Sequence, residues 1–145
     1  MKPMNDKIFL DTNIIIYAHT DAEPEKQKIA QKVITEKLTI ISTQVLQETA
    51  NTLVKKFKQT WTDVTKVVKE AALNNFLNTN TDQTILAACN IAGKCQYSFY
   101  DSLIISSALE SGCNILYSED LRDNQLIENT LTIVYPFKQK LIIQF

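Results

Sequence analysis

Short apolar runs alternate along this chain with longer segments in which apolar residues recur every three or four positions. The short runs are typical of buried strands, and the longer segments are typical of amphipathic helices. The pattern predicts strands at residues 7–10, 38–41, 76–78, 113–117 and 131–135, with 141–145 as a further short strand or an ordered tail. It predicts helices at residues 13–19, 24–37, 44–57, 64–72, 82–92 and 99–111.

Residues that favour helix ends support these boundaries. The candidate N-caps are Ser42 or Thr43, Thr62 or Asp63, Thr81 and Ser98. The only two glycines, Gly93 and Gly112, are predicted to end the last two helices.

Strands that alternate with helices predict an α/β fold, here a three-layer α/β/α sandwich around a mostly parallel central sheet. A length of 145 residues is typical of one domain with one core, so residues 1–145 are predicted to form a single domain. In such sheets, functional sites gather at the carboxyl ends of the strands.

Three polar residues interrupt the first apolar segment of the chain. Asp11, Thr12 and Asn13 directly follow the first predicted strand, which places Asp11 at the carboxyl edge of the sheet. A buried carboxylate is costly unless it finds partners or a cation. The sequence therefore has to supply partners for Asp11 at this edge.

Further acids are predicted at the same edge. Glu119 and Asp120 follow the strand at 113–117, Glu48 lies in the second turn of the helix after the second strand, and Asp101 lies in the first turn of its helix. Helix starts and strand ends share one edge in this architecture, so all of these side chains can meet there.

Each acid also has a purely structural interpretation. Asp11 can cap the next helix, Glu48 can complement the helix dipole, and Asp101 completes a capping-box pattern. Residues 119–120 can be ordinary turn residues. It is the placement of all the acids on one edge that favours a functional site.

Charge and composition restrict the function only weakly. The net charge is −1, which neither requires nor excludes a nucleic-acid partner. Fourteen of the 15 basic residues are lysines, and several cluster at Lys55, Lys56, Lys58, Lys66 and Lys69.

The three cysteines form no C-x-x-C pair, and there is one histidine, so a structural zinc site is not expected. Free thiols favour a reducing compartment, which predicts a cytoplasmic protein. No apolar run approaches the roughly 20 residues of a membrane span, so no membrane association is expected.

Four segments in this order, "FLDTNIIIYA", "VLQET", "YDSLIISSAL" and "LYSEDL", resemble the PIN-domain ribonucleases, especially the VapC-type toxins of toxin–antitoxin pairs. The resemblance extends over about residues 7–137. It implies that the four acids of the family site are Asp11, Glu48, Asp101 and Asp120. Ser118 matches the hydroxyl of the family's S/T-x-D segment, and Glu119 fills the variable position as a possible extra ligand.

The sequence departs from the family pattern in two respects. Asn124 stands where the family commonly has glycine, shortly after the S-x-D segment. Arg122 is the only arginine of the chain, which is unusual for an RNA-cleaving domain.

The resemblance and the chemistry together predict a Mg²⁺- or Mn²⁺-dependent endoribonuclease. Clustered carboxylates repel one another, and a hard divalent cation relieves this repulsion. Asp11, Asp101 and Asp120 are then direct or water-mediated metal ligands, and Glu48 is a ligand or orients the attacking water. Thr12, Asn13 and Ser118 are expected to hold the carboxylates or the substrate by hydrogen bonds.

The predicted contacts with RNA are less specific. Lys55, Lys56 and Arg122 are candidates for binding phosphate groups. The alternative for the two lysines is a solvated helix end, where cations are favoured in any case.

By resemblance, the expected partners are a small VapB-like antitoxin and a second copy of the chain in a homodimer. One alternative is a PIN nuclease in RNA processing or DNA metabolism outside toxin biology. Another is a catalytically silent PIN scaffold that binds protein or RNA. A phosphotransferase that uses Asp11 as a covalent nucleophile is disfavoured, because Asn13 replaces the second acid of a D-x-D motif.

Overall fold

The computed structural model describes residues 6–138. In this range, the strands are β1 (Lys7–Leu10), β2 (Leu38–Ser42), β3 (Phe76–Asn78), β4 (Ile115–Tyr117), β5 (Leu126–Ile127) and β6 (Leu131–Val134). The helices are α1 (Thr12–Ala18), α2 (Pro24–Glu36), α3 (Thr43–Lys55), α4 (Trp61–Asn74), α5 (Asp82–Cys95) and α6 (Phe99–Glu110).

The strands form one sheet in the order β3-β2-β1-β4-β6-β5. All neighbours are parallel except β5, which runs antiparallel to β6. Ile8, Phe9 and Leu10 of β1 are all buried, so both faces of the sheet are covered at its centre. The predicted α/β fold with a mostly parallel central sheet is confirmed.

The order of the strands is what positions the functional edge. β1 lies between β2 and β4, with Phe9 opposite Ile40 on one side and opposite Leu116 on the other. The segments that follow β1, β2 and β4 therefore leave the sheet side by side. These are the segments that carry Asp11, the start of α3 and the acids after Tyr117.

Several element ends shift by one or two residues from the sequence prediction, such as β4, which begins at Ile115 rather than at residue 113, and the following differences concern caps, a glycine and a missed strand. Thr60, rather than Thr62 or Asp63, caps α4, because its hydroxyl accepts the Asp63 N–H at 3.2 Å. α5 continues past Gly93 to Cys95, and Gln96 takes the left-handed cap position with φ 59°. α1 begins at Thr12, one residue earlier than predicted, and β5 was not predicted.

Gly112, with φ 73°, follows α6 as predicted. Residues 141–145 lie outside the described residues. Within residues 6–138, every helix is too short or too polar to cross a bilayer.

We expect Thr60→Ala to lower the free energy of unfolding by about 1 kcal/mol, because it removes the acceptor of an otherwise unsatisfied helix N–H. Thr62→Ala is the matched control, since Thr62 is exposed and lies inside the first turn of α4. Urea unfolding of the two variants measures the difference. A larger loss for the Thr62 variant would contradict the assigned cap.

Candidate active site

Asp11 occupies the junction between β1 and α1. Its backbone N–H donates to the Tyr117 carbonyl oxygen at 3.0 Å, which continues the pairing of β1 with β4. One carboxylate oxygen caps α1 by accepting the Thr12 N–H at 2.7 Å, and the other accepts the Ser118 hydroxyl at 2.8 Å. The capping role considered for Asp11 is therefore real, and it coexists with a place at the carboxyl edge of the sheet.

The surroundings of Asp11 disfavour its negative charge. Burial raises the pKa of this carboxyl group to about 6, although the hydrogen bonds from Ser118 and Thr12 act in the opposite direction. The negative charges of Glu48 and Asp101 raise the pKa further. Repulsion of this kind requires nearby charges, so acids from three distant parts of the chain lie close to one another.

All four predicted acids line one open pocket of about 310 Å³. Its lining residues are Asp11, Thr12, Asn13, Glu48, Asn51, Thr52, Asp101 and Asp120. Within residues 6–138, the ion pairs involve none of these four acids. The pocket thus concentrates negative charge that no lysine or arginine neutralises in the described part of the chain.

Neutral side chains hold three of the acids in place. The Thr12 hydroxyl donates to Glu48 Oε1 at 2.6 Å, and the Asn13 amide donates to Asp120 Oδ2 at 3.0 Å. Ser118, which is fully buried, holds Asp11. These contacts place Thr12, Asn13 and Ser118 where supporting residues were predicted, while their roles in catalysis stay predictions.

The helices that carry Glu48 and Asp101 are fixed at their N-terminal ends. Ser42 caps α3, and Ser98 caps α6 by accepting the Asp101 N–H at 3.2 Å. The Gln44 side chain joins the two helices by donating to the Tyr100 carbonyl oxygen at 3.0 Å. Local capping therefore explains part of the position of Asp101, whose side chain also lines the acidic pocket.

Glu119 faces a different set of partners. Its carboxylate accepts the Tyr17 hydroxyl at 2.6 Å and pairs with Lys26, and it does not line the acidic pocket. Burial raises the pKa of Glu119, but the hydrogen bonds from Lys26 and Tyr17 outweigh it, so the pKa is lowered overall. The structure thus separates Glu119 from the other acids, and its role as an extra ligand has no support in this geometry.

The predicted RNA-contacting residues divide into two groups. Lys55, in the last turn of α3, and Lys56, directly after it, are exposed. Arg122 instead lies over the Tyr97 ring, 4.7 Å from its centroid, and donates to the Cys95 carbonyl oxygen at 3.2 Å. All three residues are exposed, but Arg122 is also hydrogen-bonded to the fold, whereas Lys56 contacts the ring of its neighbour Phe57.

Two pocket residues were not identified from the sequence. Asn51 and Thr52 lie one turn after Glu48 on α3 and line the same cavity. The local sequence around a polar residue on a helix surface does not show whether that residue lines a pocket. Their spacing of three and four residues from Glu48 was the one clue available.

The donor set of the pocket fits a hydrated hard cation. Its lining offers carboxylate, hydroxyl and amide oxygens, which are the ligand types that Mg²⁺ and Mn²⁺ prefer. In residues 6–138, no three His, Cys, Asp or Glu side chains are grouped closely enough to hold one ion by themselves. Mg²⁺ keeps several waters and commonly uses one or two carboxylates, so the pocket suits an ion bound partly through water.

Comparison with known proteins identifies the family. A family model described as "PIN domain" matches residues 8–126, and no curated protein matches the chain. VapC20 of Mycobacterium tuberculosis, described as a sarcin-ricin loop cleaving toxin, is 17% identical with a TM-score of 0.65, over 78% of this chain and 89% of that chain.

Two toxin–antitoxin structures are similar to the same degree. VapBC2 from Rickettsia felis, bound to a DNA fragment from its promoter, is 16% identical with a TM-score of 0.66, over 88% of this chain and 96% of that chain. A toxin–antitoxin complex from Klebsiella pneumoniae is 16% identical with a TM-score of 0.66, over 91% and 99%. At these identities, the likeness establishes a shared fold. Because the family model covers most of its length, the chain belongs to the PIN domain family.

Proposed function

We propose that this protein is a Mg²⁺- or Mn²⁺-dependent endoribonuclease that acts as the VapC-type toxin of a toxin–antitoxin pair. The observation that carries the proposal is the single pocket lined by Asp11, Glu48, Asp101 and Asp120, with no basic side chain paired to them in residues 6–138. Acids with purely structural roles need not meet in one open cavity. Acids that bind a divalent ion together with a phosphate have to lie close to one another.

In this proposal, Asp11, Asp101 and Asp120 hold the ion directly or through water. When bound, the ion supplies positive charge against the scissile phosphate and lowers the pKa of a bound water. Glu48, held by the Thr12 hydroxyl, holds the ion with them or orients the attacking water. Asp11 has to be ionised to take part, and the hydrogen bonds from Ser118 and Thr12 favour its ionised form.

The substrate is proposed to be RNA. Lys55 is the last residue of the helix that carries Glu48, Lys56 directly follows it, and both are available to contact phosphate groups. Arg122 is a weaker candidate, because it already contacts Tyr97 and Cys95.

The proposed partner is a small VapB-like antitoxin. Two of the similar structures are described as VapBC or toxin–antitoxin complexes. A pocket with surplus negative charge attracts a basic side chain, so an antitoxin that inserts one would block the site. A homodimer and a cytoplasmic location complete the proposal, the latter supported by the free Cys89, Cys95 and Cys113.

We expect Asp101→Asn to lower metal-dependent RNA cleavage about 100-fold or more, beyond the 10–100-fold typical of residues that only orient ligands. Asp82→Asn is the matched control, since Asp82 is exposed and occupies the first turn of α5 as Asp101 does that of α6. The measurements are cleavage by the purified chain with Mg²⁺ or with a chelator, and growth arrest on expression.

Cleavage that is lost with Asp101→Asn and kept with Asp82→Asn supports the proposal. If the wild-type chain cleaves no RNA with Mg²⁺ or Mn²⁺, the nuclease proposal is wrong. Growth arrest that persists in the Asp101 variant without cleavage would favour a catalytically silent domain that binds its target.

A further inference from the structure

One side of α3 links the acidic pocket to a positive charge. Asn51, Thr52 and Lys55 follow Glu48 by three, four and seven residues, so the four side chains share one face of the helix. Leu53, on the roughly opposite face, is fully buried in the core. We call Glu48, Asn51, Thr52 and Lys55 the α3 strip.

The α3 strip is directed at the acids. Side chains on a helix lean towards its N-terminus, and the N-terminal end of α3 is the end at the pocket. Asn51 and Lys55 are exposed, and Thr52 is half-buried, so the strip is open to an incoming ligand. At 1.5 Å per residue, Lys55 lies about 10 Å along the helix from Glu48.

We infer that the α3 strip is a binding subsite for the RNA strand that flanks the scissile phosphate, an inference that rests on the proposed function. Asn51 and Thr52 hold the neighbouring nucleotide, and Lys55 contacts a phosphate two to three nucleotides further along. For scale, each strand of a B-form duplex advances about 3.4 Å per nucleotide along the helix axis, and 10 Å is about three such steps.

The order of residue types along the strip suits a polynucleotide. Next to the acids lie an amide and a hydroxyl, which can donate hydrogen bonds to phosphate oxygens or a ribose 2′-hydroxyl and which do not neutralise the charge of the carboxylates. A lysine at this position would instead form an ion pair with Glu48 or Asp101 and neutralise the pocket. The positive charge lies two turns away, where it can bind phosphate without competing for the acids.

The test compares Asn51→Ala and Lys55→Ala with two matched controls on α5. Asn90→Ala removes an exposed asparagine from a helix interior, and Lys94→Ala removes an exposed lysine from a last helical turn. Cleavage by the full chain is measured on a long single-stranded RNA and on the shortest RNA that is still cleaved. Binding of the long RNA to each variant is measured by fluorescence anisotropy.

We expect Asn51→Ala to raise KM about 5–10-fold on both substrates with little change in kcat, which is the scale of one lost hydrogen bond of ordinary net strength. Lys55→Ala is expected to raise KM only on the long substrate and to reduce the salt dependence of log K by about 0.7. Both controls should match the wild type.

The proposed subsite is refuted if Asn51→Ala has the same KM as Asn90→Ala. It is also refuted if Lys55→Ala raises KM equally on both substrates. It is also overturned if the variants lose binding to an antitoxin but keep RNA binding. Absence of cleavage by the wild-type chain would refute the proposed nuclease instead, and the anisotropy comparison would still decide whether RNA occupies the strip.

Discussion

Asp11→Asn is expected to reduce RNA cleavage by about 10²–10³-fold, the scale seen when one preorganised charge-stabilising group is removed. The substitution keeps the size of the side chain and removes its charge. Asparagine is as good an N-cap as aspartate, and its amide oxygen can still accept the Thr12 N–H. Its amide nitrogen can donate to the Ser118 oxygen, which reverses the direction of that hydrogen bond.

A loss of cleavage by Asp11→Asn would therefore reflect the missing negative charge of this side chain and not a loss of folding. Asp21→Asn is the control, because Asp21 is an exposed aspartate just after α1. Circular dichroism and urea unfolding establish that both variants are folded, and initial rates with Mg²⁺ give the effect. Undiminished cleavage by folded Asp11→Asn would rule out Asp11 as a metal-binding group.

The metal-free wild-type protein is expected to lose up to about 3 kcal/mol of stability through Asp11 as the pH rises from about 4 to above 6, at 1.36 kcal/mol for each pKa unit. The pKa of Asp11 is about 6 in the folded chain, against an ordinary value of 3.8 that applies to the unfolded chain. The folded state therefore binds this proton more tightly, so stability falls with rising pH between the two values and is constant above the higher one.

The measurement is the difference in unfolding free energy between the wild type and Asp11→Asn in a chelator, from pH 4 to 8. The difference is needed because Glu119 and Asp123, whose pKa values are lowered, contribute with the opposite sign. Asp11→Asn should become relatively more stable as the pH rises, and Mg²⁺ should reduce the difference by stabilising the wild type. A difference that does not change with pH would contradict the raised pKa of Asp11.

Local patterns in the sequence were sufficient to predict most of the fold. The apolar runs predict five of the six strands, including β3 at the edge of the sheet, although its Phe76 and Leu77 are exposed. β5 has only two residues, too few for any periodicity. The cap of α4 was misassigned because Thr60, Thr62 and Asp63 are all good cap residues, and the choice depends on the path of the preceding loop.

Glycine proved an unreliable end signal for α5. Gly93 lies within the helix, and Gln96 adopts the left-handed conformation instead. Asn124, which stands where the resemblance suggested glycine, also has a positive φ, 68°. Asparagine tolerates this region better than most residues, so the loop keeps a backbone that glycine would allow.

The four acids of the site and their neutral neighbours Thr12, Asn13 and Ser118 were predictable, but the ion pair of Glu119 and the pocket positions on α3 beyond Glu48 were not. The acids were found because strand and helix ends in this architecture converge on one edge. The pairing of Glu119 with Lys26 joins residues 93 positions apart, and no local pattern encodes it. Asn51 and Thr52 are pocket residues only because α3 lies beside the edge.

The bond between Asp11 and Ser118 spans 107 positions, as does the bond between Asn13 and Asp120. During translation, Asp11 is synthesised long before Ser118. β1 therefore cannot pair with β4 until the chain between them has been made. A nascent or truncated chain that lacks β4 therefore has no complete acidic pocket. Under the proposed activity, each copy of the chain can become active only after it has been synthesised past Asp120.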